Sequence, residues 1–199
     1  WWLDHMTAWN GRAIFGSVPY VVIESDTSLS VWGIRCGDVT TGGPWSVQER
    51  KMYINCLELL AGSFAVHSFS RAKVSCSILW KMDNVSAIRY IHHLGVTRFK
   101  AMADLAKEFW SFCLVQGATV LAEYLPGKLS RIADWNSRYP KDFSAWKLNP
   151  LLFQMIMDKW CLCQIDLFAS RLDHHLPRFF SWKSDSLAVV TNTFMQDWS

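Results

Sequence analysis

Four acids, Asp26, Glu58, Asp83 and Asp134, fall where strands are expected to end or helices to begin. Crowded together, four carboxylates repel one another, and each raises the others' affinity for protons. Hard divalent cations relieve that repulsion, and an all-oxygen ligand set suits Mg2+, with Mn2+ as a substitute. Two such ions about 3.5–4 Å apart activate a water and stabilise a leaving oxygen, which is the chemistry of phosphodiester cleavage. Each acid also has a plainer reading. Asp26 can start a turn with Thr27 and Ser28, and Glu58 can complete a capping box with Asn55. Asp83 can cap the helix after it, and Asp134 can set negative charge at a helix start. Those four readings are independent of one another, whereas a shared metal site accounts for all four positions at once.

The elements that must position these acids are legible in outline. Val21-Val22-Ile23 is a β-branched run ending at Asp26, and Val31-Trp32-Gly33-Ile34 supplies a second strand, paired to the first as a hairpin. The Gly- and Thr-rich stretch from Thr40 to Pro44 reads as a loop, followed by a short segment around Trp45. A helix fits residues 55–69, with Asn55 as N-cap and Leu57, Leu60, Ala61 and Phe64 on one apolar face. Residues 74–82 form a strand, and a helix opened by Asn84 closes at Gly95. A longer helix runs from about Arg98 to Gln116, stopped by Gly117. A strand from Thr119 to Tyr124 follows, then a Pro126-Gly127 turn and a short helix carrying Asp134. Hairpin strands followed by alternating strands and helices predict an α/β fold, a mixed five-stranded sheet flanked by helices. Strand ends in such a sheet converge on one edge, and helix starts face it. Beyond Pro140 a helix over Pro150–Lys159 and a strand over Gln164–Phe168 stand in otherwise irregular sequence.

Bulk properties narrow the class. At 199 residues, 51% of them hydrophobic, the chain has room for one ordinary domain plus an extension, and its apolar content suits a packed core and not a disordered chain. A net charge of +3 neither requires nor excludes a polyanionic partner. No apolar run reaches the ~18 residues a membrane span needs, and nothing at the start resembles a signal peptide. The six cysteines, Cys36, Cys56, Cys76, Cys113, Cys161 and Cys163, therefore read as reduced core thiols of an intracellular protein, in cytoplasm or nucleus. The chain opens on Trp1-Trp2 rather than Met and reads as a segment of a longer protein.

At its four acids the sequence resembles the ribonuclease H family, in particular the ribonuclease H region of DIRS-type retrotransposon polyproteins. The words that carry the resemblance are Trp1-Trp2-Leu3 with Asn10-Gly11-Arg12; Ser25-Asp26-Thr27-Ser28-Leu29 with Trp32-Gly33; Gly43-Pro44-Trp45-Ser46; and Ile54-Asn55-Cys56-Leu57-Glu58-Leu59. They continue through Asp83-Asn84, Pro126-Gly127, Ala133-Asp134 and Ser137-Arg138 to Ile165-Asp166-Leu167-Phe168-Ala169-Ser170-Arg171 and on to Trp182, nearly the whole chain. The order Asp, Glu, Asp, Asp differs from the Asp, Asp, Glu order of transposase and integrase domains. The resemblance implies a ribonuclease H-like domain over 20–140, a lead-in over 1–19 from an upstream reverse transcriptase, and a C-terminal extension over 141–199. It implies that Asp26, Glu58, Asp83 and Asp134 hold two Mg2+ ions and that the RNA strand of an RNA–DNA hybrid is cut internally. Tyr124, Ser130, Tyr53 and Val31 depart from residues usual in such elements, and none of them is an expected metal ligand.

Substrate contacts follow less directly. Among cations flanking the acid-bearing segments (Lys81, Arg89, Arg98, Lys100, Lys128, Arg131 and Arg138), Thr97-Arg98 after Gly95, with Lys128, Arg131 and Arg138, suit backbone phosphates. Asn84 can meet a ribose hydroxyl or cap its helix. Cys161 and Cys163 with His174-His175 do not match structural zinc spacings. Asp166 reads as a strand-end or turn acid and Trp135 as a packing residue. The competing class is a nucleic-acid-binding or structural domain that keeps the fold without cutting.

Overall fold

The structure, a computed structural model, describes residues 7, 19, 21–70, 76–93, 99–126, 147–160 and 162–196. Its first strand, β1 (Val21–Thr27), alternates buried and more exposed positions and hairpins into β2 (Val31–Cys36). The chain turns at Gly37, whose φ of 59° is left-handed, and returns as β3 (Val39–Pro44). This corrects the loop expected at Thr40–Pro44. Gly42 and Gly43 are strand residues here, and a Cβ at Gly42 would lie 2.5 Å from the Trp32 carbonyl oxygen, so glycine marks a close backbone approach. Trp45 follows the strand and is only 1% exposed.

Helix α1 (Ile54–Ser70) starts one residue earlier than expected, with Cys56 and Leu57 N–H groups bonded to the Tyr53 carbonyl. Asn55 is therefore inside the helix, and the capping box with Glu58 does not form. α1 packs against β1, β2 and β4 (Ser77–Met82). Its Gly62 lies against the buried Trp80, where a Cβ would fall 1.4 Å from the ring, and Trp80 Nε1 donates to Ser25 Oγ at 2.8 Å. Helix α2 (Val85–His92) is capped by Asn84 and ends at His93. Helix α3 (Lys100–Gln116) ends at Gly117, φ 64°, as the sequence predicts, and packs on α1 and α2. Strand β5 (Thr119–Tyr124) completes the sheet.

The sheet order is β3-β2-β1-β4-β5; β1, β2 and β3 are antiparallel neighbours, and β1, β4 and β5 run parallel. This is the predicted α/β arrangement, a mixed five-stranded sheet flanked by helices. Its core is one cluster built from β1, β2, β4, β5 and the inner faces of α1, α2 and α3. Beyond it, α4 (Pro150–Lys159) is capped by Asn149. The strand expected at Gln164–Phe168 reduces to a single bridge between Asp166 and Phe179, beside a pair of two-residue strands, β6 (Phe180–Ser181) and β7 (Val190–Thr191). Among the described cysteines, Cys56, Cys76 and Cys113 are buried as expected of core thiols, whereas Cys36 is half-buried and Cys163 is exposed. No helix of the described residues is long and apolar enough to cross a membrane.

Candidate metal centre

Strand register delivers the first two acids. In the parallel β1–β4 pair Glu24 is level with Lys81, and the same register carried to the strand ends sets Asp83 beside Asp26. Asp26 still pairs with Gly33 on its other side, so its backbone is fixed within the ladder. The first turns of α1 bring Glu58 over this edge. One carboxylate oxygen from each of Asp26, Glu58 and Asp83 lies within 4.8 Å of the other two. Among the described residues no other group of three or more acids, histidines or cysteines comes together in this way.

The three carboxylates differ in surroundings. Asp83 is exposed, Asp26 is half-buried, and Glu58 is 4% exposed. Burial, then the charges of Asp26 and Asp83, push the Glu58 carboxyl up to about 9, against a hydrogen bond from the Thr27 main-chain N–H. Glu58 Oε2 is buried with no hydrogen-bond partner. A buried carboxyl with one orphaned oxygen, grouped with two further carboxylates, fits a hard divalent cation, which would supply the missing charge and the missing contact together.

Asn84 and Asp83 divide the work at the end of β4. Asn84 Oδ1 accepts from the Ala87 N–H at 2.9 Å, which caps α2, and Asn84 Nδ2 donates to Asn55 Oδ1 at 2.8 Å. That second bond ties the start of α2 to the turn of α1 that carries Glu58. Asp83 takes no part in the cap and faces the cluster. Sequence reasoning missed the roles of Thr27 and Asn55. The residue after Asp26 and the residue one turn before Glu58 were the available signals.

Asp134, Thr97, Arg98, Lys128, Arg131, Arg138, Trp135 and Cys161 lie outside the described residues. Lys81 is level with Glu24 on one side and Glu123 on the other, an acidic setting within the sheet. Asp166 accepts from the His175 N–H at 3.2 Å, and His174 and His175 stack on Phe179 and Phe153.

No protein-family model matches the chain. No curated protein matches it either. Among solved structures it is similar to the crystal structure of RNase H1 from the halophilic archaeon Halobacterium salinarum, with a TM-score of 0.48 and 13% sequence identity over 60% of this chain and 98% of that one. The fold described above rests on this chain's own strand order and register.

Proposed function

We propose that this chain is a metal-dependent ribonuclease H domain that hydrolyses the RNA strand of RNA–DNA hybrids internally. The observation that carries the reading is the convergence of Asp26, Glu58 and Asp83 at one end of the parallel strands, with Glu58 buried and one of its oxygens unpartnered. Those three acids, with Asp134 as the fourth, would hold Mg2+, two ions in the full site, with Mn2+ able to substitute. When bound, such ions lower the pKa of a water and stabilise the leaving oxygen of the phosphodiester.

The chain's own residues prepare for that chemistry. Asp83, exposed at the mouth, meets solvent and substrate first. Glu58 keeps a proton until a cation compensates its neighbours, so its buried carboxyl is not left as an uncompensated charge beside two other carboxylates. The Thr27 N–H orients Glu58 from below. The Asn84 amide has a second N–H beyond the one given to Asn55, and it suits a ribose hydroxyl. Thr97, Arg98, Lys128, Arg131 and Arg138 suit the phosphates of the two strands.

The wider setting in this reading is a DIRS-type retrotransposon polyprotein acting inside the cell, with a reverse transcriptase upstream. Its divisions are 1–19 as lead-in, 20–140 as nuclease and 141–199 as extension. The ordered words running from Trp1 to Trp182 support it. A gel assay of a labelled RNA–DNA hybrid with Mg2+, run beside Asp83→Asn, tests the activity. Cleavage by the unmodified chain and none by the variant is the expected result. Equal products from both, or none from either, would overturn the catalytic reading and favour a silent domain that keeps the fold.

A further inference from the structure

A buried side chain, that of Arg171, helps to fasten the segment over 162–196 to the five-stranded sheet. The Arg171 side chain, 8% exposed, sends Nη1 to Glu49 Oε1 at 2.8 Å and Oε2 at 3.1 Å, and Nη2 to the Pro44 carbonyl at 3.0 Å. Its guanidinium lies 4.7 Å from the Phe64 ring centre, 5.8 Å from Trp32 and 6.0 Å from Trp45. A second tie joins Thr41 Oγ1 to the Ser184 carbonyl at 2.8 Å. Trp45 in turn holds the β1–β2 turn. Its main-chain N–H bonds the Ser30 carbonyl at 3.0 Å, and its indole N–H meets Thr27 Oγ1 at 3.1 Å and the Ser28 carbonyl at 3.0 Å. Thr27 is the residue whose main-chain N–H meets Glu58.

We infer that Arg171 is a positioning residue for the acid site, acting through Trp45 and Thr27 to fix Glu58, so that the extension is a working part of the nuclease. The inference rests on the proposed function for its catalytic consequence and on the structure alone for its geometric one. A buried ion pair adds little net stability compared with an apolar replacement, because desolvating two charges offsets their attraction. What it adds here is direction. A planar guanidinium that meets a carboxylate, a carbonyl and three ring faces has one orientation, which a lysine ammonium cannot reproduce. That orientation sets Trp45, and Trp45 sets the turn on which Thr27 sits.

The test uses the full chain, first without metal. Amide exchange by NMR is compared among the unmodified protein, Arg171→Met and Arg171→Lys. Arg171→Met is expected to speed exchange of the Thr27 amide and the Trp45 indole N–H about tenfold while Leu79 and Ala122, in the β4–β5 ladder, keep their rates. Mn2+ affinity, measured calorimetrically, falls about tenfold, as for loss of other groups that orient metal ligands. In the cleavage assay the Mg2+ requirement rises by the same factor and the KM for hybrid stays unchanged. Arg171→Lys recovers part of each effect. Glu49→Gln, which keeps the ring contacts and the Pro44 bond, serves if Arg171→Met does not fold, and is expected to give about a threefold change in Mn2+ affinity. Unchanged Thr27 exchange and Mn2+ affinity would overturn the inference, and so would uniformly faster exchange across the sheet. An unmodified chain that cuts no hybrid but shows the exchange and affinity changes sinks the proposed function and leaves the positioning role standing. A chain that cuts, with an Arg171→Met variant of unaltered Mg2+ requirement, sinks the positioning role alone.

Discussion

Without metal, the buried carboxyl of Glu58 makes stability depend on pH in a direction opposite to that of an ordinary ion-paired acid. Its ordinary value is near 4.5, and in the folded protein burial and the adjacent Asp26 and Asp83 charges push it up to about 9. Between those values the folded chain keeps a proton that the unfolded chain has lost. The Glu58 contribution to stability is therefore greatest below the lower value, falls as pH rises through the window, and levels above the upper one. The slope for one proton is about 1.4 kcal/mol per pH unit, so roughly 2–3 kcal/mol is lost between pH 6 and pH 8. Glu58→Gln removes the titrating group and keeps an oxygen for the Thr27 N–H, so its slope over this interval is flatter by that amount. The assay is urea unfolding in a chelator at several pH values, followed by tryptophan fluorescence. Subtracting the Glu58→Gln curve cancels the contribution of every other group, since the two proteins share them all. Adding Mg2+ at a hundred times its dissociation constant restores about 2.7 kcal/mol to the unmodified chain and much less to the variant. Parallel loss of stability in the two proteins, with or without metal, would falsify the reasoning that Glu58 is the buried proton holder.

Substitutions at three further positions test the frame around the site. Gly62→Ala drives a methyl into the buried Trp80 ring. It is expected to cost about 3 kcal/mol through overpacking, against roughly 1 kcal/mol gained in helix propensity, so a urea midpoint at or above the unmodified value refutes the packing argument. Asn84→Ala removes both the α2 cap and the bond to Asn55, for about 1–2 kcal/mol in urea unfolding, and Asn84→Ser, which keeps only a cap, recovers about half. Arg35→Gln deletes a partly exposed pair with Glu24 at 3.7 Å and shifts stability by less than about 0.5 kcal/mol in the same measurement.

What was legible in the sequence was whatever local chemistry decides. The β-branched run before Asp26, the Asn84 cap and the Gly117 stop each act within a few residues of themselves, and all three stand in the structure as read. The gathering of Asp26 and Asp83 was legible because it needs only two parallel strands in register. Thr40–Pro44 misled because its glycines signal a loop in isolation, yet their lack of side chains is what lets β3 approach the Trp32 backbone. Asn55 misled because Asn-x-x-Glu satisfies a local capping rule, while tertiary packing starts the helix earlier and hands the amide to Asn84. The near-complete burial of Glu58 and the grip of Arg171 on Glu49 arise from contacts between distant stretches of chain, which no local pattern encodes.

The parallel pairing of β1 with β4 also fixes when the site can exist. Asp26 and Asp83 become neighbours only after the connection through β2, β3 and α1 has brought β4 back alongside β1, because a parallel pair cannot be closed by a tight turn. Closing that crossover is a slow, non-local step compared with forming the β1–β2–β3 meander. During synthesis the hairpins can form while the chain is still short, with Asp26 lacking its later neighbours. The cluster of three carboxylates assembles late, in the same event that closes the sheet, so a cation that needed all three would report the completed fold and not its early stages.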